Sequence, residues 1–541
     1  MKKTSLWLIL ILIIAAFFRF WDIQNTPPGL WSDEAIDGNS ATEALTNKSW
    51  KAFYPENNGR EGLYINIQSF FIKAFGHEPW VLRLPSAVVG FLTVLGLFLM
   101  ARELFSTNAA LFSAFFLATS FWHINFSRIG FRAIMAPFFL VWSFYFLLLL
   151  IRKSRDGKIS FKNFRFFPEF FAIIAGVLFG LGFYTYIAFR IAPLILLLPL
   201  WKFLRNWRNS KTKNCAPCLI ALFLFIAFIT TLPLLWFYIQ NPADFFGRTS
   251  QISIFNSPKP ALVLLKNFVV TLGMFNFVGD FNWRHNFAGS PELWWPVGIL
   301  FLIGIGESLR RMRKQERFPY IFLLFWFLVM LLPIIFSNEG IPHALRSITL
   351  LPPAMIFAGI GLIAIVSKIK TWLVEQKERY PENTDQIKRM GRELTLLLFT
   401  FFAVAILTTG KQYFWKWAPR MEVYEAFQGD ATKIGHWLKS APVEIKKYVF
   451  SGEVDIPDLK GDPLIFQDIL FITDTLSTQK QIQKNIFYIG KKDLSSVDCS
   501  RACVLISVNQ NIDEYKLIKS KIPNMQGDIR PGFFILKNKN I

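Results

Sequence analysis

Cysteine is scarce: four residues in 541. Cys215 and Cys218 form a lone C-x-x-C where an apolar run begins, and with no second pair or histidine cluster beside them they do not make a zinc site. Cys499 and Cys503 lie near the C-terminus, where a disulfide and two free thiols are equal alternatives. The last 130 or so residues contain no nucleotide-binding glycine motif, no P-loop and no H-E-x-x-H, which removes the chemistries those motifs carry. Acid is also in deficit, with 37 Asp and Glu against 59 Lys and Arg and a formal charge of +22. That excess does not indicate nucleic acid, because the basic residues fall mostly between apolar spans, as they do in the cytoplasmic loops of membrane proteins. The centres of those spans are nearly free of charge and no internal repeat is visible, which argues against a transporter or flippase with polar groups at the bilayer midplane.

Apolar residues are abundant. They make up 53% of the chain, with 60 Phe and 18 Trp, and the mean hydropathy is +0.36. Met1-Lys2-Lys3 and the run Leu6–Phe18 look like a signal peptide, but no small-x-small site follows and the run ends in Arg19-Phe20-Trp21. It reads as a retained first helix, short for a span, with Lys2, Lys3 and Arg19 snorkelling to close the gap.

Hydrophobicity predicts about 11 transmembrane helices, near 5–21, 82–101, 109–126, 132–151, 168–187, 191–204, 217–239, 294–308, 319–336, 347–367 and 393–410. With the N-terminus cytoplasmic, every internal loop is basic. Arg152–Arg165, for example, carries six basic residues against one acid. The expectation is an α-helical polytopic protein of the plasma (inner) membrane, with residues 1–410 as the transmembrane domain. Residues 22–80 form a long first external loop, and 240–293 form another external stretch that contains Asp280–His285 and an amphipathic piece near 261–278. Residues 411–541 are more polar. Short β-rich runs at Lys447–Ser451, Asn485–Gly490, Cys503–Val508 and Phe533–Leu536 alternate with helical patterns near 431–439 and 513–521, predicting a small extracytoplasmic α/β domain.

The polar residues with chemical potential collect on the external side. Trp31-Ser32-Asp33-Glu34 follows the first helix. Its carboxylates can accept a proton from a hydroxyl or help hold a divalent cation, and Ser32 or Asp33 can equally cap a helix over 35–44. Arg60, in the run Asn57-Asn58-Gly59-Arg60-Glu61-Gly62, offers a fork to a phosphate or a surface salt bridge. Arg83 reads as a snorkelling or helix-capping residue. Arg128 and Arg132 run against the topology signal, so they bind phosphate or tether their turn. Tyr184 reads as interfacial belt; Tyr186 and Arg190 parallel the arginine turn. His343 and Arg346 present two donors one turn apart, suited to an anion. Carboxylates and cations on one side are what transfer from a lipid phosphate to a hydroxyl needs.

Several runs together resemble the GT-C glycosyltransferases, in particular the family 39-like (PMT-2) branch of protein mannosyltransferases and aminoarabinose transferases. They are Asp33-Glu34, Gly-Arg-Glu-Gly-Leu at 59–63, Arg-Leu-Pro-Ser at 83–86, Ser-Arg-x-Gly-x-Arg at 127–132, Tyr-x-Tyr-x-x-x-Arg at 184–190 and His-Ala-Leu-Arg at 343–346. The resemblance covers roughly residues 5–410. It implies a polyprenyl-phosphate sugar donor, a lipid, polysaccharide or protein acceptor, and an inverting displacement on the external face, with metal dependence open. By the same resemblance Asp33 is the general base, Glu34 orients it or the acceptor, and Glu61 stands as a second carboxylate. Arg60, with Arg346 and His343, would hold the donor phosphate.

Overall fold

The computed structural model describes residues 2–156, 167–208, 215–314, 317–452, 464–530 and 532–538. Parts of two expected basic loops, 157–166 and 209–214, lie outside the described residues. Two compact units form: residues 1–21 with 86–417, and residues 22–85 with 418–541.

The first unit is helical. Among the described residues, seven helices are long and apolar enough to cross a membrane: Pro79–Leu104 (most of it in this unit), Arg132–Arg152, Ile187–Arg208, Ala216–Gln240, Phe318–Ile335, Ile348–Arg379 and Pro381–Trp417. The protein is an integral membrane protein. Leu224, Phe225, Phe228, Ile229, Leu232 and Trp236 along one of these helices are exposed, as a lipid-facing surface requires. Each of the 11 expected spans falls on helix, but the remaining four are shorter. Three are Thr4–Phe20, Thr107–Ala118 and Pro168–Gly182, and the fourth is Trp295–Arg311.

Several boundaries differ from expectation. The span expected over 109–126 breaks after Ala118, because the Ser120 hydroxyl accepts from His123 N–H and starts a new short helix, Phe121–Phe126. The amphipathic piece becomes the helix Pro260–Gly273. The expected loop 368–392 is mostly helix, because Leu351–Arg379 runs on past the apolar stretch and Thr384–Gly410 starts early. Arg19 does not snorkel. Its side chain is buried and donates to the carbonyls of Ala15, Leu117 and Ala118, satisfying the carbonyls left open where the Thr107–Ala118 helix ends.

The second unit joins the first loop to the C-terminal segment. Its five-stranded sheet uses β3 (Lys446–Phe450), β4 (Ile486–Ile489), β5 (Cys503–Ser507), β6 (Gln526–Arg530) and β7 (Phe533–Lys537) in the order β4-β3-β5-β7-β6. The first three strands are parallel, and β7 and β6 add antiparallel. Four strands match the sequence reading. β6 was not expected, since its polar run Gln-Gly-Asp-Ile-Arg sits at the edge, where no alternation of buried residues is needed. Cys499 is bridged to Cys503, and Cys215 to Cys218.

In the loop half, Leu30, Ala35, Ala41, Tyr54, Ile65 and Leu82 share one apolar core with Phe471 and Ile472 of the C-terminal segment. Polar ties reinforce it: Leu30 N–H to Thr432 Oγ1 at 2.8 Å, Ser32 Oγ to Gln428 Oε1 at 2.8 Å and Asn39 Nδ2 to the Gln467 carbonyl at 2.9 Å.

Candidate active site

The Asp33-Glu34 pair lies in the second unit. The helix there spans Ser32–Asn47, so Ser32 and Asp33 occupy its first turn and Trp31 precedes it as the cap residue. Glu34 Oε2 reaches back to accept from Trp31 N–H at 3.3 Å, and acids in this turn suit the helix dipole.

The two neighbours meet different surroundings. Glu34 is fully buried and is gripped by Arg83 from the start of the helix Pro79–Leu104, Nε to Oε1 at 3.0 Å and Nη2 to Oε2 at 3.1 Å. Arg83 also donates to the Pro27 carbonyl at 2.7 Å. The snorkelling or capping role expected for Arg83 gives way to this internal pair. Asp33 remains partly exposed, and Asn57 Nδ2 donates to its Oδ1 at 2.8 Å. Among the described residues no cation pairs with Asp33.

Asn57 comes from a hairpin of β1 (Phe53–Tyr54) and β2 (Arg60–Glu61). Its turn carries three consecutive positive φ values, at Asn57, Asn58 and Gly59, which Asn and Gly tolerate best. At Gly62 a Cβ would meet the Lys51 carbonyl at 2.0 Å, so only glycine permits this approach. The hairpin turns Arg60 inward, where Nη1 meets Asp37 Oδ1 at 2.6 Å, Nη2 donates to Ser40 Oγ at 3.0 Å and Nε to the Glu56 carbonyl at 3.1 Å. Glu61 is buried on the same strand. Asp37 and Glu56 escaped the sequence reading because nothing local marks them as partners of Arg60.

The first unit holds the other candidates in separate groups. Arg128 is buried; its Nη1 donates to the Phe18 carbonyl at 3.1 Å and its guanidinium lies over Tyr413 and Phe414. Through this bond Arg128 grips the first helix and not the long first loop to which a tether was expected to run. Arg132 opens a short 3-10 turn and is half-buried. Tyr184 is buried, with its hydroxyl on the Thr230 carbonyl at 3.0 Å, so it joins two helices and does not sit in an interfacial belt. Tyr186 precedes the 3-10 turn that carries Arg190. Arg190 donates to the Phe245 carbonyl at 2.7 Å and the Tyr238 hydroxyl at 2.9 Å.

Arg346 is buried against the segment 337–339. It donates to Ser337 Oγ and to the Glu339 carbonyl, and its Nη2 meets Glu339 Oε2 at 2.8 Å. Glu339 is 54% exposed and also pairs with Arg248 at 3.1 Å, so two guanidinium groups converge on one accessible carboxylate.

Beside this lies Asp280. Its Oδ2 accepts from His285 Nδ1 at 2.9 Å and from Ala344 N–H at 2.9 Å, with His343 Nδ1 at 3.7 Å. Burial works against the Asp280 carboxylate, but the hydrogen bond from His285 opposes it and the carboxylate stays below its ordinary value. Burial holds His343 well below the usual imidazole value, and His285 and Arg346 add to this. Burial likewise holds Glu292, which accepts from Asp280 N–H, well above its ordinary value.

With this arrangement in view, the chain can be set beside known proteins. Residues 63–236 match the family model described as dolichyl-phosphate-mannose-protein mannosyltransferase. Along nearly its whole length the chain superposes on ArnT from Cupriavidus metallidurans bound to undecaprenyl phosphate, at TM-score 0.54 and 13% identity, covering 99% of this chain and 98% of that one. The fold is that of the GT-C glycosyltransferases. The apo oligosaccharyltransferase of Archaeoglobus fulgidus is similar at TM-score 0.53 and 14% identity, covering 97% of this chain and 73% of that one. So is the same organism's AglB in complex with an inhibitory peptide and a dolichol phosphate, at TM-score 0.51 and 13% identity, with 99% and 74% covered. No curated protein sequence matches the chain. Within the first unit, a cavity of about 1160 Å³ lies among Lys202, Arg205, Arg311, Arg313 and Arg317, at the basic ends of the helices and away from the residues above.

Proposed function

We propose that this protein transfers a sugar from a polyprenyl-phosphate donor to an acceptor hydroxyl on the extracytoplasmic face of the membrane. One observation carries the reading: of two adjacent acids on a GT-C scaffold, Glu34 is neutralised by a buried arginine while Asp33 stays accessible and unpaired among the described residues. Asp33 then acts as general base. It takes the acceptor proton as the acceptor oxygen bonds to the anomeric carbon and the bond to the phosphate oxygen breaks, inverting that centre. Glu34 and Arg60 fix the helix and hairpin that carry Asp33 and Asn57, and Glu61 packs in the same hairpin.

The leaving phosphate is assigned to Arg346, with Arg132 and Arg190 as further cations of the first unit. Glu339, accessible and held by Arg346 and Arg248, occupies the fork that a phosphate would take. The bound undecaprenyl phosphate and dolichol phosphate of the two similar proteins support a lipid-phosphate donor. The basic internal loops support a cytoplasmic N-terminus in the plasma (inner) membrane, with residues 418–541 outside.

The test is transfer in liposomes from a radiolabelled polyprenyl-phosphate sugar to lipid, polysaccharide or protein acceptors. Wild-type protein is expected to label one of these classes and Asp33→Asn none. Passage of the donor across the bilayer without transfer would instead favour a flippase.

A further inference from the structure

We infer that Asp280, His285 and His343 form a binding site for one transition-metal dication of the zinc type. Their donor atoms all lie within 4.8 Å of one another. Asp280 Oδ2 stands 2.9 Å from His285 Nδ1 and 3.7 Å from His343 Nδ1. Two ligand atoms about 2.0–2.1 Å from a tetrahedral ion are separated by roughly 3.3 Å, so these two distances bracket the required edge. The imidazole rings face each other at 4.9 Å and 31°.

A second observation points to a ligand. His343 Nδ1 is buried without a hydrogen-bond partner among the described residues. A buried polar atom left this way is unfavourable, and a metal ion would satisfy it. Two imidazoles and one carboxylate suit zinc or cobalt, whereas magnesium and calcium prefer all-oxygen sets. Three protein ligands leave one position for water.

The surroundings fix the ligands as metal sites usually do. Asp280 Oδ1 accepts from Asn282 N–H at 2.8 Å, and Asp280 N–H donates to Glu292 Oε1 at 2.9 Å. The loop is anchored by Asn125 Nδ2 on the Arg284 carbonyl at 2.6 Å and by Trp417 Nε1 on the Trp283 carbonyl at 3.0 Å. Trp122 Nε1 holds the Ala344 carbonyl beside His343 at 3.1 Å. The ion would staple the loop 280–292 to the segment that carries Arg346.

The inference goes beyond the transfer reading and is tested without any transfer assay. Full-length protein in detergent is stripped with chelator, loaded with Zn²⁺, passed through gel filtration and analysed for bound metal. About one zinc per chain is expected, and Co²⁺ in its place should give the visible absorption bands of a tetrahedral site. His343→Ala and Asp280→Asn are expected to lose about 100-fold or more in affinity. Zn²⁺ should raise the melting temperature of the wild type and leave that of His343→Ala unchanged. Less than half an equivalent of zinc on the wild type overturns the proposal, and so does zinc that His343→Ala retains in full. The latter result would place the ion elsewhere.

Discussion

Glu34 and Arg83, 49 residues apart in sequence, form a bidentate ion pair in which neither side chain reaches solvent. Removing one partner leaves a buried charge uncompensated, which typically costs about 3–5 kcal/mol. Arg83→Ala and Glu34→Ala are therefore expected to lower the melting temperature in detergent markedly and to reduce the yield of folded protein. Equal melting of wild type and Arg83→Ala would show that the pair does not hold this unit together.

Asp33 should behave in the opposite way. It contributes one hydrogen bond, from Asn57, and no ion pair among the described residues, so Asp33→Asn is expected to melt like the wild type. Transfer should fall by about 10²–10⁴-fold, the usual contribution of a general base. Turnover within a few-fold of wild type, measured with labelled lipid-linked sugar, would remove Asp33 from that role.

Arg346, proposed to bind the donor phosphate, and its partner Glu339 should respond differently to substitution. Arg346→Ala is expected to lower kcat/KM for the lipid donor by about 10²–10³-fold, with partial recovery in Arg346→Lys, which keeps the charge but loses the fork. Glu339→Ala should leave kcat/KM equal or higher, since the competing carboxylate is gone. A large loss in Glu339→Ala would mean that this carboxylate organises the site.

Asp468 sets a pH dependence. It is buried in the helix Gln467–Thr473, and its Oδ2 has no hydrogen-bond partner among the described residues. Burial raises its pKa to about 8. The folded state therefore keeps a proton that the unfolded chain releases above about 4, and stability falls as pH rises between those values before levelling off. Melting temperatures of the wild type between pH 5 and 8.5 should decline more steeply than those of Asp468→Asn. Parallel curves would show that the carboxyl does not titrate in this range.

The membrane helices were legible because apolar length and basic flanks are local properties of the chain. So were β3, β4, β5 and β7, whose β-branched and aromatic runs announce themselves. The motif runs around Asp33, Arg60 and His343 were also visible. Pairings across long separations were not. Glu34 with Arg83, Arg60 with Asp37, Arg128 with the Phe18 carbonyl and Arg19 with the Leu117 carbonyl are decided by packing, which leaves no periodicity to read. In the sequence Asp280–His285 is only part of an external stretch, because its relation to His343 appears once two loops are brought together.

Leu82 and Ala35 share their core with Phe471 and Ile472, and this has a consequence for biogenesis. During synthesis, the segment that carries Asp33 leaves the ribosome long before the strands and helices that complete its hydrophobic interior. Until residues 418–538 have followed it to the same compartment, that early segment has no finished partner to fold against. Loss of the chain's tail would unmake its beginning.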